Sequence, residues 1–180
     1  MNTGEGRRHS METRGEQRKQ KKDHTLRNFL IKLAAIALSL FLVLTFVFGV
    51  FRMNGNEMYP AVRDGDLCIT YRLDQYYQGD IVAYRTEDGI RFARIIAREG
   101  DTVDADEGGL LVNGVHPMEE IFYPTDMESA RQSLPCEVGE GEVFVLNDYR
   151  SDLSDSRRYG TVSADELQGK IILILRRRGF

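Results

Sequence analysis

The sequence predicts a mainly β, antiparallel domain carried behind one transmembrane helix. Three observations predict it: one uncharged run near the N-terminus, short apolar runs divided by turn residues after it, and a reversal of charge between the two parts. The chain has 180 residues, 42% hydrophobic and 29% charged, with 17 Gly, 4 Pro, 2 Cys and no Trp. That composition suits one modest globular domain with an added segment and argues against a polytopic membrane protein. A formal charge of −4 argues against a nucleic-acid binder, and no nucleic acid is expected as a partner.

Residues 1–28 are rich in Arg, Lys, Glu, Gln and Gly with almost no apolar periodicity, and are expected to form a basic, disordered cytoplasmic tail. Residues 1–32 carry nine Lys or Arg against four Asp or Glu, a net of +5, whereas the remainder nets −9. The run 33–51 holds nineteen residues without a charge, about the length that crosses ~30 Å of hydrocarbon as a helix. It lacks the polar face of a core helix. It also outlasts the roughly 7–15 apolar residues of a cleavable signal and leaves through Phe48-Gly49-Val50-Phe51-Arg52-Met53, with no small-x-small exit. The expectation is an uncleaved transmembrane helix over 29–51, with the Lys32 stem snorkelling at its edge. The cluster Arg18-Lys19-Gln20-Lys21-Lys22, with Arg27 and Lys32, marks the cytoplasmic side. Residues 52–180 then form an extracytoplasmic domain, and cytoplasmic membrane lipid is the first expected partner.

Beyond Met53, apolar runs of four to seven residues alternate with Gly, Asp, Asn and Pro. Asp64-Gly65-Asp66 precedes a strand at Leu67–Tyr71, and Gln78-Gly79-Asp80 precedes one at 81–84. Glu87-Asp88-Gly89 turns the chain into 90–98, giving a hairpin that Glu99-Gly100-Asp101 closes. Asn113-Gly114 between 110–112 and Val115 is the strongest short hairpin signal and gives a second one. Glu142–Leu146 and 169–175 read as two further strands, while 126–133 forms one helical turn or none. Cys68 and Cys136 are too few for a disulfide framework, and their pairing is left open. His9, His24 and His116 are scattered and no Cys-x-x-Cys occurs, so neither a metal nor a cofactor is expected.

Four blocks in order resemble the type I signal peptidases, membrane-anchored serine endopeptidases that remove leader peptides. The family's Ser-Met-x-Pro and following Gly-Asp are matched by Glu57-Met58-Tyr59-Pro60 and Gly65-Asp66. Its Gly-Asp-Ile-Val stands as Gly79-Asp80-Ile81-Val82. Its Lys-Arg-Val-Ile-Gly-x-x-Gly-Asp is matched by Ala93-Arg94-Ile95-Ile96-Ala97-Arg98-Glu99-Gly100-Asp101, and its last block by the stretch from Asn147-Asp148-Tyr149-Arg150 to Ser154-Asp155-Ser156-Arg157-Arg158-Tyr159-Gly160. The resemblance spans nearly the whole chain. It implies a coiled antiparallel β core with a variable cap, small here, over 102–143.

The match fails where the chemistry is done. The resemblance puts the nucleophilic Ser at Glu57, the base Lys at Ala93 and a Lys-orienting Ser at Leu153. An alcohol is a poor nucleophile without an adjacent base. A carboxylate beside a developing oxyanion has the wrong sign, Ala93 accepts no proton, and Arg91 and Arg94 hold theirs far above neutral pH. Lys170, the one Lys of the outer domain, opens the final strand, and His116 lies in a cap hairpin, so neither is expected to restore a dyad. What the resemblance leaves intact is scaffold at Gly55, Asp155, Ser156 and Arg157, and a peptide groove at Met58, Tyr59, Ile81, Val82, Ala83 and Tyr84, at least half of which strand alternation turns into core.

The preferred reading is a non-catalytic, signal-peptidase-like chaperone whose partner is an extended polypeptide client, a pilin or preprotein. The resemblance implies the company of a sortase, because non-catalytic members of this kind serve covalent pilus assembly in Gram-positive bacteria. In that reading Glu57 pairs with Arg91, Arg94, Arg157 or a client Lys. The alternative is an active signal peptidase I with a displaced dyad drawn from Ser154, Ser156 or Lys170.

Overall fold

The computed structural model describes the backbone of residues 5–118, 121 and 123–176, with side chains described from residue 26 onward. The chain divides into two units with the boundary between Thr45 and Phe46. The first is made by a single helix, α1 (Glu5–Val47), whose last two residues fall in the second unit. Of the tail expected to be disordered over 1–28, residues 1–4 lie outside the described residues, and the rest is helical. Glu, Gln, Lys and Arg are good helix formers, so a polar composition alone did not exclude a helix. Within α1, Leu26–Val47 is long and apolar enough to span a membrane. None of this stretch is buried against protein, and the hydroxyl of Thr45 is turned back onto the carbonyls of Phe41 (3.0 Å) and Leu42 (2.9 Å).

The apolar run therefore ends as a helix earlier than expected. Residues 48–51, assigned to the membrane by their lack of charge, belong instead to strand β1 (Phe48–Arg52). Aromatic and β-branched residues flanking Gly49 favour a strand, and the segment pairs residue by residue with β2 (Leu67–Tyr71), from Phe48↔Tyr71 to Arg52↔Leu67.

The second unit is mainly β and antiparallel throughout. Its further strands are β3 (Ile81–Thr86), β4 (Gly89–Arg98), β5 (Thr102–Asp106), β6 (Gly109–Val112), β7 (Cys136–Glu137), β8 (Glu142–Leu146), β9 (Val162–Ser163) and β10 (Leu167–Leu175). Seven strands form one sheet in the order β1-β2-β10-β3-β4-β8-β9, and three form a second in the order β6-β5-β7. The hairpin at Glu87-Asp88 joins β3 to β4 with Thr86 opposite Gly89. At the other strong turn signal, Asn113 (φ 54°) and Gly114 (φ 76°) close a two-residue turn, but it joins only Val112 to Val115. The longer hairpin of the small sheet, β5 with β6, was not legible. Asp104 and Asp106 make Thr102–Asp106 a poor strand by composition. Between 126 and 133 there are turns and bends but no helix, whereas a short helix, α2 (Ser156–Tyr159), forms where none was expected.

β4 links the two sheets' cores. Its pairing with β8 slips between Ile95 and Ala97. This bulge lets Ile95 pack with Val82, Tyr84, Ala93, Val145 and Leu167, while Ile96 and Ala97 pack with Val103, Leu110, Phe144 and Leu146. A third cluster, Met53, Met58, Val62, Cys68, Ala83 and Phe92, lies on the opposite face of β3 and β4 from Ala93. Cys68 and Cys136 are both free and buried, and burial, followed by the nearby Asp66 carboxylate, pushes the Cys68 thiol up to about 11.

The central strand β10 depends on one glycine. Gly169 sits at φ 110°, where β10 slips against β3, and a Cβ there would lie 2.7 Å from the Tyr71 carbonyl oxygen. Gly169→Ala is expected to destabilise the β unit by about 1–3 kcal/mol or more through backbone strain and this collision, read as a lower denaturant midpoint in detergent solution.

Candidate functional site

Three segments converge on a small cavity of about 20 Å³. The loop after β1 supplies Met53, Asn54 and Glu57, the start of β4 supplies Ile90, Arg91 and Phe92, and the loop after β8 supplies Asn147 and Ser154. The first loop is closed at its base by Met53 N–H donating to Asp66 O (2.9 Å) and Gly65 N–H donating to Met53 O (2.9 Å). Arg176, just past β10, holds the buried Asp66 carboxylate (Nη2 to Oδ2, 3.0 Å). Burial alone would raise this carboxyl, but Arg176 and the Arg63 N–H outweigh it and hold it below its ordinary value. Within the loop, Gly55 (φ 106°) donates its N–H to Asp64 Oδ1 (2.9 Å), and a Cβ there would collide with the Glu57 carboxylate. The Glu57 side chain is therefore folded over Gly55, and its carbonyl accepts from Tyr149 N–H (2.8 Å). Its Oε2 is buried without a hydrogen-bond partner among the described residues.

Ala93 does not line this cavity. It is fully buried in the core beside Val82, opposite which it pairs, and it has no polar side-chain atom. Tyr84 shares that face, and burial pushes its phenol up to about 12, with the Asp155, Tyr159 and Glu57 charges acting in the same direction and Arg91 against them. It stays protonated and is no base. Leu153 is half-buried and apolar, and its neighbour Ser154 is the hydroxyl that reaches the cavity, with Oγ donating to Asp152 Oδ1.

The scaffold residues form a dense polar knot. Arg157 grips Asp155 with two parallel bonds, Nε to Oδ1 (2.9 Å) and Nη2 to Oδ2 (2.7 Å), both side chains being fully buried. The same guanidinium donates to the carbonyls of Arg150 (2.7 Å) and Asp152 (2.6 Å), which shapes the loop carrying Leu153 and Ser154. Asp155 also caps α2 and accepts from Asn147 N–H (2.9 Å), while Ser156 Oγ accepts from Val145 N–H (3.0 Å). A second bidentate pair, Arg94 with Asp148 (both bonds 2.7 Å), locks β4 to the end of β8.

The expected pairing of Glu57 within the chain is corrected. Glu57 forms no ion pair with Arg91, Arg94 or Arg157. Arg91 donates to Ser154 O (3.1 Å) and lies 3.9 Å from Asp88, and the other two are engaged as just described. Of the expected groove residues, Met58, Val82, Ala83 and Tyr84 are buried core, which leaves Ile81 half-buried and Tyr59 exposed beneath the Arg63 guanidinium. Of the groups considered for a displaced dyad, Ser156 is buried and bonded, and Lys170 is bound to Asp74 (2.7 Å), which raises its pKa and keeps it protonated. His116 contacts Leu110 O (2.9 Å) and Asp106 (3.5 Å) in the small sheet. Asn54, Ile90 and Phe92 were not singled out from the sequence, because apolar strand residues and a lone amide carry no motif of their own, and Asn147 entered only as the head of the last matched block.

The cavity opens beside an unpaired edge. β4 pairs with β3 over Gly89–Arg94 but with β8 only from Arg94 onward, so among the described residues its other edge is free over 89–93. Ile95 N–H points at Asp80 O on the β3 side. By alternation, the peptide groups of Ile90 and Phe92 face the free edge.

The protein-family model described as "Signal peptidase, peptidase S26" matches residues 26–176. The chain belongs to this family. It is similar to signal peptidase I T of Bacillus subtilis (strain 168), 26% identical over 171 residues covering 87% of this chain and 89% of that protein. It is similar also to inactive signal peptidase IA of Staphylococcus aureus, 25% identical over 154 residues covering 81% of this chain and 88% of that one. Among solved structures, a crystal structure of a signal peptidase I from Enterococcus faecalis V583 aligns at 25% identity and a TM-score of 0.45, covering 54% of this chain and 97% of that one.

Removing one partner of a buried ion pair strands the other charge. Arg157→Ala is expected to cost about 3–5 kcal/mol, and Asp155→Ala a similar amount, while the double variant costs less than their sum; equilibrium denaturation reads all three. For Asp66, the depressed carboxyl contributes stability that is complete above its ordinary value of 3.8 and lost as pH falls through its lower native value. Arg176→Ala is expected to flatten that acid limb in a melting-temperature series against pH.

Proposed function

We propose that this chain is a membrane-tethered signal-peptidase-like protein that holds an extended polypeptide without cleaving it. The observation that carries this reading is Glu57 lining the cavity with its carboxylate folded over Gly55, together with Ala93 sealed in the core, at the positions where the family resemblance puts nucleophile and base. Cleavage of an amide by this family needs an alcohol beside an unprotonated amine. The outer domain's single lysine is tied to Asp74 at 2.7 Å, and the Ser154 hydroxyl is bonded to Asp152. The similarity to an inactive signal peptidase IA is in keeping with this assignment.

The bound polypeptide lies along the free edge of β4 at residues 89–93, taking backbone hydrogen bonds from Ile90 and Phe92. The basic tail stays in the cytoplasm, Leu26–Val47 crosses the membrane, and the β unit works outside the cell. Its client is a surface-protein precursor of the pilin class, handed to a sortase, as the resemblance to non-catalytic members implies. A second reading is an active signal peptidase I using Ser154, favoured by the placement of that hydroxyl in the same cavity as Glu57.

Two measurements separate these readings. Full-length protein reconstituted in lipid vesicles is expected to leave a leader-bearing preprotein uncut, and processing abolished by Ser154→Ala would establish the active reading. The triple variant Glu57→Ser, Ala93→Lys, Leu153→Ser is expected to gain cleavage, and an inert but folded triple variant would count against the assignment of these three positions.

A further inference from the structure

We infer that a large cleft between the cap and the loop after β1 receives the stretch of client chain that runs on past the free edge of β4, and that it selects for that stretch to be apolar and uncharged. This rests on the polypeptide-binding reading above and deepens it, because it names a second contact and the chemistry the client carries there. The cleft holds about 840 Å³, within the range of about 300–1,000 Å³ typical of ligand-holding clefts. The three segments that wall the small cavity continue into it: Glu57 gives way to Pro60 and Ala61, Phe92 to Arg94, and Asn147 to Asp148. Val112, Val115, Pro117 and Met118, at the end of β6 and beyond it, line the cleft from the cap.

Strand geometry leads a client there. β8 takes up the edge of β4 at Arg94, which lies opposite Leu146, so a strand paired over 89–93 meets the end of β8 and has to leave the sheet. On the face of Ala93 it would meet closed core, since Ala93, Val82 and Val145 are all fully buried. Side chains alternate along a strand, so Phe92 and Arg94 share the other face, and Arg94 lines the cleft. The charges of the lining are spent internally. Arg94 is committed to the buried Asp148 carboxylate by two bonds of 2.7 Å and to the Gly79 carbonyl by a third of 2.7 Å. The Asn113 amide donates to Asp101 (2.8 Å) and accepts from Thr102 N–H (2.9 Å), and His116 engages Leu110 O and Asp106. A charged client side chain pressed in here loses water and meets no uncommitted counter-ion among the described residues of the lining. An apolar one instead covers Val115, 66% exposed, and the wholly exposed Met118.

The test uses the full chain in detergent micelles, with empty micelles as the blank, and four fluorescent peptides, acetylated and amidated. All share the core Thr-Val-Thr-Val-Thr. One has nothing more, and the others are extended at both ends by Ala-Leu-Ala, Ala-Asp-Ala or Ala-Lys-Ala, so that one extension meets the cleft whichever way the strand runs. Anisotropy titration is expected to give the leucine peptide about tenfold tighter binding than the core, and the two charged peptides no gain over it. The double variant Val115→Glu, Met118→Glu, altered only at exposed positions, is expected to bring the leucine peptide down to the level of the core peptide and to leave the core peptide's own binding unchanged. A leucine peptide no tighter than the core, an aspartate or lysine peptide as tight as the leucine one, or an advantage that survives in the double variant would overturn the inference while leaving polypeptide binding in place. Failure of all four peptides to bind would overturn the binding reading and the inference together.

Discussion

The Arg157 guanidinium is the constraint on which the site depends. Fully buried, it is tolerable only because Asp155 takes two of its hydrogen bonds and backbone carbonyls take the others. Those carbonyls belong to Arg150, Asp152 and, at 3.2 Å, Asp126, and the first two fix the course of the loop that presents Leu153 and Ser154. Asp155 in turn caps α2 and receives Asn147 N–H, which ties the same loop to the end of β8. A polar network this buried has few alternative arrangements that leave every group satisfied. It fixes the geometry of the third wall of the cavity whether or not any bond is broken there.

The opposite wall is set by backbone conformation. The loop from Met53 to Asp66 folds Glu57 over Gly55, and the missing Cβ at that glycine is the space the carboxylate occupies. One residue at positive φ and one orphaned oxygen are thus consequences of the same local geometry. Tyr84 and Ala93 complete the picture from the core side. There, apolar packing continues up to the back of the site, and among the described residues of that cluster the titratable side chains are two phenols, Tyr84 and the partly buried Tyr76, both raised by burial.

The fold was legible where hydrophobic period and turn chemistry agreed. Leu67–Tyr71 and Glu142–Leu146 emerge with the limits their apolar runs and flanking turn residues indicate, and Glu87-Asp88 turns the hairpin it signals. Legibility failed where one signal was asked to carry two meanings. Absence of charge continues from α1 through Phe51, so composition alone runs the helix into β1, although a strand begins at Phe48. Conversely, acids conceal Thr102–Asp106, whose partners lie across a turn that sequence weights less than Asn113-Gly114. The candidate site was legible as a set of positions, through Glu57, Asp155 and Arg157. Its cavity was not, because that depends on where the pairing of β4 with β8 begins, and register is a tertiary property.

The slip at Ile96 separates two mechanical halves of β4. Residues before it report to Val82, Tyr84 and Val145, while those after it report to Val103, Leu110 and Phe144. Residues of the stretch from Thr102 to Glu137 pack on the distal half, whereas Phe92 lies before the discontinuity in a separate cluster. Such an arrangement gives natural variation a place to lengthen, shorten or redecorate one end of the molecule while the other keeps its dimensions.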